Sequence, residues 1–506
     1  MPSFEESDPA PISPSPAPEL PSSQVHPATV SPTKHQKEND QDDDDFIPEN
    51  KTKDDDGDQK MIFDDDNEEP ELKSSTSEIE KPSIIQQSKP SSSKSSSSTT
   101  TTTSTKYKPS SADMKHYYER YLPFKSIFLW LNHSPAPQTD FTMREFAFEY
   151  KSGAYHRYNS FSNVSEFKST VLKAEPTRFE IGAVYPIEPK LRKQVSKNVM
   201  KPQMKEFVLD IDLTDYDDIR TCCSGTSICE KCWKFINIAI EIIDVALKND
   251  FGFKHLLWVF SGRRGCHCWI SDYRARVMDE NIRRSVIEYL DVLHVKGSKK
   301  SNGGVASLNM FRKPYHPHIE RSLEVLKDQF IDVVIREQDP WRHEDRYEDL
   351  ARAVPDYRLT NALMKYWKTT TDRSSADKWL DVDKYYQNLK IQSFDLQDWK
   401  KEMIFKTMYP RLDVEVSRQM IHLLKSPFCV HPGTGNVCIP FDPSKEKFNP
   451  LTAPNLQTLF NEDEEHVENT SLQPSIDLFN KYVRELMKEE LSKKRTRDES
   501  KENLEF

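Results

Sequence analysis

The sequence predicts a mixed α/β fold behind a long unstructured extension, on three observations. Apolar residues alternate with acids from Phe207 to Asp212, the period of a strand. Apolar residues recur at helical spacing over Phe235, Ile238, Ala239, Ile242, Ile243 and Ala246, so strand and helix signals follow one another in the same region. Composition changes abruptly near residue 110, where a proline-, serine- and acid-rich stretch gives way to Tyr117, Tyr118, Tyr121, Leu122 and Phe124.

Residues 1–110 hold the runs Asp42–Asp45, Asp54–Asp56 and Asp64–Asp66 and a Ser/Thr tract from Ser91 to Thr105, with too little apolar area to offset chain entropy. This segment carries 23 acidic and 11 basic residues of the 82 and 71 in the chain, which leaves 59 against 60 downstream. The net charge of −11 therefore belongs to the extension, and the acidity does not argue against a nucleic-acid partner for the rest. No run approaches the ~20 apolar residues that span a bilayer, and the start lacks the regions of a signal peptide. A soluble, intracellular protein with no membrane partner is expected.

The first part of the folded core is assigned to residues 111–300. Within it the strand 207–212 is followed by a cysteine cluster and the helix already named. Leu256 to Phe260 and Cys266 to Ile270 read as two strands joined by the turn Ser261-Gly262-Arg263-Arg264-Gly265, and a loop is expected over 296–304. Residues 301–405 carry helical periodicity with few strand signals and form a helical subdomain. Strand and turn signals return from Tyr409 to Phe441 in a second core segment, 406–492. Ile476, Phe479, Tyr482, Val483, Leu486 and Met487 outline its last amphipathic helix, before a charged tail, 493–506. There is no internal repeat.

Asp210 and Asp212, one residue apart on a strand, leave the same face about 7 Å apart. Paired hard carboxylates suit two Mg²⁺ or Mn²⁺ ions about 3.5–4 Å apart, which stabilise attacking and leaving oxygens at phosphorus. Two exposed acids would read the same in isolation, but a buried strand makes such charges costly unless something pairs with them. In the turn, glycines allow close backbone approach to an anion, and Ser261, Arg263 and His267 offer hydrogen bonds and positive charge to a triphosphate. An exposed basic hairpin is the plainer alternative. Farther on, Asp413, Lys425 and His431 precede a second glycine-rich turn, Pro432-Gly433-Thr434-Gly435. Asp413 is either a third metal ligand or a surface acid before a helix beginning near Ser417. Cys222, Cys223, Cys229 and Cys232 supply four thiolates within eleven residues, the number that closes a structural Zn²⁺ site, whereas Cys266, Cys268, Cys429 and Cys438 read as packing residues.

The segments EFVLDIDLTDYDDIRTCC, SGRRGCHCW and RLDVEVSRQMIHLLKSPFCVHPGTG, in this order, closely resemble the catalytic small subunit of eukaryotic replicative DNA primase. The similarity runs from about Tyr117 to at least Pro440. It implies an archaeo-eukaryotic primase core with an embedded zinc motif (222–232) and an inserted helical subdomain. By position it implies Asp210, Asp212 and Asp413 as carboxylates of a two-metal Mg²⁺ or Mn²⁺ site and Cys222, Cys223, Cys229 and Cys232 as ligands of a structural Zn²⁺. It also implies Ser261, Arg263, His267, Lys425 and His431 as nucleotide-phosphate contacts, with Arg264 in the adjoining position. Glu145 and Arg157, in the shorter motifs REFAFEY and YHRYNSF, resemble additional active-site residues, Glu145 catalytic and Arg157 on the nucleotide. The implied activity is DNA-directed RNA polymerisation from NTPs on a single-stranded DNA template in the nucleus. The implied partners are the large primase subunit and the catalytic and accessory subunits of DNA polymerase alpha. The extension has no counterpart in the resemblance. It reads either as a plain solvating tail or, through its islands Phe46-Ile47 and Met61-Ile62-Phe63 in acidic surroundings, as a segment that docks on the basic groove of a single-stranded-DNA-binding protein. Two rivals use the same residues differently: a primase-polymerase extending with dNTPs, and a noncatalytic zinc-containing nucleic-acid-binding subunit.

Overall fold

The computed structural model describes residues 107–294, 313–445, 447–462 and 466–502. The extension up to residue 106, the whole 296–304 loop and the last four residues lie outside the described residues. The first helix, Ser111–Arg120, starts from a capping box in which Ser110 and Asp113 satisfy each other's backbone N–H groups. Its Tyr117 and Tyr118 are buried, and each hydroxyl donates to a distant carbonyl, Phe428 O at 2.8 Å and Pro176 O at 2.7 Å.

Among the described residues eight strands form two four-stranded sheets in which every pairing is antiparallel, so the α/β reading holds as mixed helix and sheet. The first sheet has the order β2-β1-β3-β7, with β1 Arg144–Glu149, β2 Tyr155–Asn159, β3 Arg178–Val184 and β7 Leu424–Lys425. The second has the order β4-β6-β5-β8, with β4 Phe207–Asp212, β5 Leu256–Phe260, β6 Gly265–Ile270 and β8 Pro440–Phe441. The strands expected at 207–212, 256–260 and 266–270 form, the last one residue longer. From Tyr409 to Phe441 only the two-residue β7 and β8 appear, because most backbone bonds there close turns, as in His431 N to Asn436 O at 2.8 Å.

β6 is buried along its whole length, which matches its central place beside β4 and β5. Its Trp269 meets Trp130 edge to face at 5.3 Å, and Trp130 donates to Ser271 Oγ at 2.9 Å. The helix Glu230–Val245 extends as one π turn to Asp250 and packs its apolar stripe inward. Among the described residues from 313 to 408 there is no strand: the helices are Pro317–Phe330, Glu344–Arg352, Tyr357–Thr369, Ser375–Asn388 and Leu396–Met408. The last of these ends at Met408 rather than near 400–405. The final helix is continuous from Gln473 to Glu502, so it runs on into the charged segment that begins at 493. Phe479, Val483 and Leu486 bury its apolar face, and Tyr482 donates to His255 O at 3.0 Å.

Candidate active site

The β4–β6 register puts Asp210 opposite His267 and Asp212 opposite Gly265. Gly265 is required there, since a Cβ would lie 2.3 Å from Ile211 O. His267 Nε2 stands 3.6 Å from Asp210 Oδ1. Asp413 joins the pair from far along the chain, its N–H donating to Asp210 O at 3.1 Å. The helix that follows begins at Val414, three residues before the expected start, because Asp413 is its N-cap and accepts from Glu415 N at 2.9 Å and Val416 N at 3.2 Å.

Burial and the neighbouring Asp212 and Asp413 push the Asp210 carboxyl up to about 8. Asp212 is held in place by Thr214, whose N–H and hydroxyl donate to Oδ1 at 2.8 and 2.9 Å, and by Arg264 Nε at 2.8 Å. Thr214 escaped the sequence reading, although Asp-x-Thr after a strand is the signature of such a turn. Arg264, expected near the nucleotide, is engaged with the carboxylate of Asp212.

The cationic side is built from two turns that interlock. Gly262 takes φ 86°, and a Cβ there would meet His431 Cβ at 2.7 Å. Thr434 Oγ1 donates to Gly262 O at 2.8 Å, and Lys425 Nζ lies 3.5 Å from Ser261 O. Ser261 Oγ accepts from Gly265 N at 3.1 Å, which closes the first turn. His431 Nδ1 accepts from Gly433 N at 3.1 Å, so its proton resides on Nε2 and is available to an acceptor. His267 was expected to bring positive charge. Burial and the Lys425 ammonium instead push it down to about 3, so it is a neutral hydrogen-bonding group, and His431 is pushed to about 3 by burial, Lys425 and Arg263. Arg263 and Lys425, both half-buried, carry the charge of this side.

Glu145 and Arg157 form a third corner. Glu145 is fully buried and takes Arg157 Nε at 2.8 Å and the Tyr185 hydroxyl at 3.1 Å. Arg157 also donates to Ile421 O at 3.1 Å. The next residue, His422, is held below the usual imidazole range first by burial and then by the Lys205 ammonium. Tyr185 and the buried Lys205, which donates to His422 O at 2.5 Å, gave no signal in the sequence because nothing in their spacing marks them.

The four cysteines lie outside this site, and their Sγ atoms are within 4.8 Å of one another. This is the one such group of three or more metal-ligating side chains among the described residues; the three aspartates do not close a comparable cage. Cys229 and Cys232 sulfurs are 3.9 Å apart, near the ~3.8 Å edge that Zn–S bonds of about 2.3 Å give a tetrahedron. Cys229 N donates to Cys232 Sγ at 3.2 Å, which together with Cys222 lowers the Cys232 pKa. Gln338 Oε1 accepts from Thr221 N at 2.8 Å and fastens this loop to the helical region. The donor set fits a thiophilic metal. Cys266, Cys268, Cys429 and Cys438 are buried in the core.

Comparison with known proteins follows the same segments. Residues 209–443 match the family described as DNA primase small subunit. The chain is 47% identical to the DNA primase small subunit of Saccharomyces cerevisiae over 404 residues, 78% of this chain and 96% of that protein. It is 47% identical to that of Schizosaccharomyces pombe over 71% of this chain and 79% of the relative, and 35% identical to that of Drosophila melanogaster over 68% and 80%.

Proposed function

The chain belongs to the DNA primase small-subunit family, whose work is the synthesis of RNA primers on DNA, and from that membership we propose the roles of its site residues. The observation that carries the proposal is the convergence of Asp210, Asp212 and Asp413 from two distant segments, beside the Ser261–Gly265 turn and Lys425.

In the reaction, the 3′-hydroxyl of one nucleotide attacks the α-phosphorus of the next NTP, and the bond to the β-phosphate oxygen breaks. Asp210, Asp212 and Asp413 are the candidate holders of Mg²⁺ or Mn²⁺, which when bound supplies Lewis-acid activation and neutralises the leaving pyrophosphate. Arg263 and Lys425 pair with the β- and γ-phosphates through charge-assisted hydrogen bonds. His431 donates from Nε2, and neutral His267 and Ser261 add uncharged contacts. Arg264 clamps Asp212 and is released, or shared with phosphate, when the site fills. Glu145 holds Arg157, whose guanidinium faces the nucleotide. The four cysteines would hold a structural Zn²⁺, which would contribute to folding rather than chemistry.

A large primase subunit is the implied partner, and DNA polymerase alpha subunits are proposed beyond it, with action in the nucleus. Incubation of the purified chain with single-stranded DNA and either NTPs or dNTPs tests the reading: short RNA products with NTPs are expected. Products from dNTPs alone would favour a primase-polymerase, and none from either would favour a noncatalytic subunit.

A further inference from the structure

The first sheet breaks its register twice, between β1 and β3 at Arg144–Phe146 and between β1 and β2 beside Arg157. β1 and β2 pair Phe148 with His156 and Phe146 with Asn159, so β2 carries one extra residue at Arg157–Tyr158. Such a bulge re-aims the side chains it carries. Tyr158 adopts φ 66°, a left-handed conformation that a bulky residue holds only when its surroundings fix it. Two sets of contacts hold it there. Its N–H donates to Glu145 Oε1 at 3.3 Å, and its ring is approached by two guanidiniums, Arg157 at 5.1 Å and Arg192 at 4.2 Å from the centroid.

Arg192 belongs to the turn Pro189–Gln194, which opens an irregular strap ending where Gln203 N bonds Val184 O at 2.8 Å. From 190 to 201 the strap contains Lys190, Arg192, Lys193, Lys197 and Lys201 and no acidic residue, in a chain otherwise balanced beyond residue 110. All four lysines are exposed, and so are Leu191 and Val199 between them. Lys190 has a partner in Glu188 at 2.8 Å. Cations spaced along a strap, with apolar side chains between them and an aromatic ring at one end, suit the phosphates and bases of a single strand.

We infer that the strap 190–201, with Tyr158 and Arg192 at its head, binds the phosphate backbone of a single-stranded nucleic acid at the Glu145–Arg157 edge of the site. The inference rests on the primer-synthesis reading and says where that site's polymer lies. Arg192 is a positioning residue here, bracing the Tyr158 ring.

The test is titration of the full chain and its Lys193→Ala/Lys201→Ala variant with labelled oligodeoxythymidine and oligouridine at several salt concentrations. Both lysines are exposed, so the variant folds. Affinity is expected to fall several-fold at low salt, and the slope of log K against log salt to become shallower by about 1.4, two phosphates at about 0.7 each. The KM for NTP should stay unchanged. A loss on DNA assigns the strap to the template, and a loss on RNA to the growing primer. Unchanged affinity and slope on both polymers would overturn the inference. Primer synthesis is scored beside the titration: its absence in the wild type fails the primase reading, whereas unchanged binding by the variant fails the strap alone.

Discussion

Asp210 shows how far a single residue can be read from its neighbours. Alternation on one strand places it beside Asp212, but its raised pKa comes first from burial, then from Asp212 and from Asp413, the last more than two hundred residues away in the chain. The sign of the resulting pH effect follows. A carboxyl raised from 3.8 to about 8 keeps its proton in the folded, metal-free protein after the unfolded chain has lost it, so stability falls as pH rises from about 4 to about 8. Asp210→Asn removes this titration. It should raise metal-free stability at pH 8 by ~1–2 kcal/mol relative to wild type while leaving it nearly unchanged at pH 4, read by thermal melting in chelator. Equal pH profiles for the two proteins would show that Asp210 is not held in the way described. Arg263 is predicted to act on binding: Arg263→Ala should raise the KM for NTP roughly tenfold or more, the size of a lost charge-assisted hydrogen bond. An unchanged nucleotide dependence would reject that role. The histidines show where residue-level reading stops. His267 and His431 could be named from their motifs, but their neutrality comes from burial and Lys425, which only packing reveals.

Among the elements, those with strong periodicity were legible: β4, β5, β6, the helix after the cysteines and the last apolar helix all lie where their patterns put them. Short pieces were not. The helix from Val414 to Arg418 spans five residues, too few to show a period, and its start is fixed by the capping bonds of Asp413. The bulge in β2 likewise leaves no mark in YHRYN, because its cause is the register against β1 and the anchor at Glu145. The cysteine element carries its own prediction. Cys229→Ser or Cys232→Ser should release the metal and lower stability by several kcal/mol, since a closed thiolate site contributes to folding directly. Metal content and melting temperature of the purified protein check this together. Wild type holding no zinc, or a variant with an unaltered melting temperature, would contradict it.

For the whole molecule, the charge division argues that template attraction and partner recruitment are separate tasks. The acidic extension repels DNA, whereas the nearly neutral remainder can present local basic surfaces such as the 190–201 strap. We propose that the extension docks on a single-stranded-DNA-binding protein through Phe46 and Phe63. A labelled peptide of residues 38–70 should bind such a protein at least several-fold more tightly than its Phe46→Ala/Phe63→Ala version, each lost aromatic contact being worth roughly 1 kcal/mol or more. Equal binding would leave the segment a spacer. The central claim, that three carboxylates on two segments form one catalytic site, is tested most directly by template-dependent primer synthesis with Asp210→Ala/Asp212→Ala. The account predicts a loss of at least ~10³-fold in synthesis, with a metal-free melting temperature no lower than wild type; retained synthesis by the stably folded variant would contradict it.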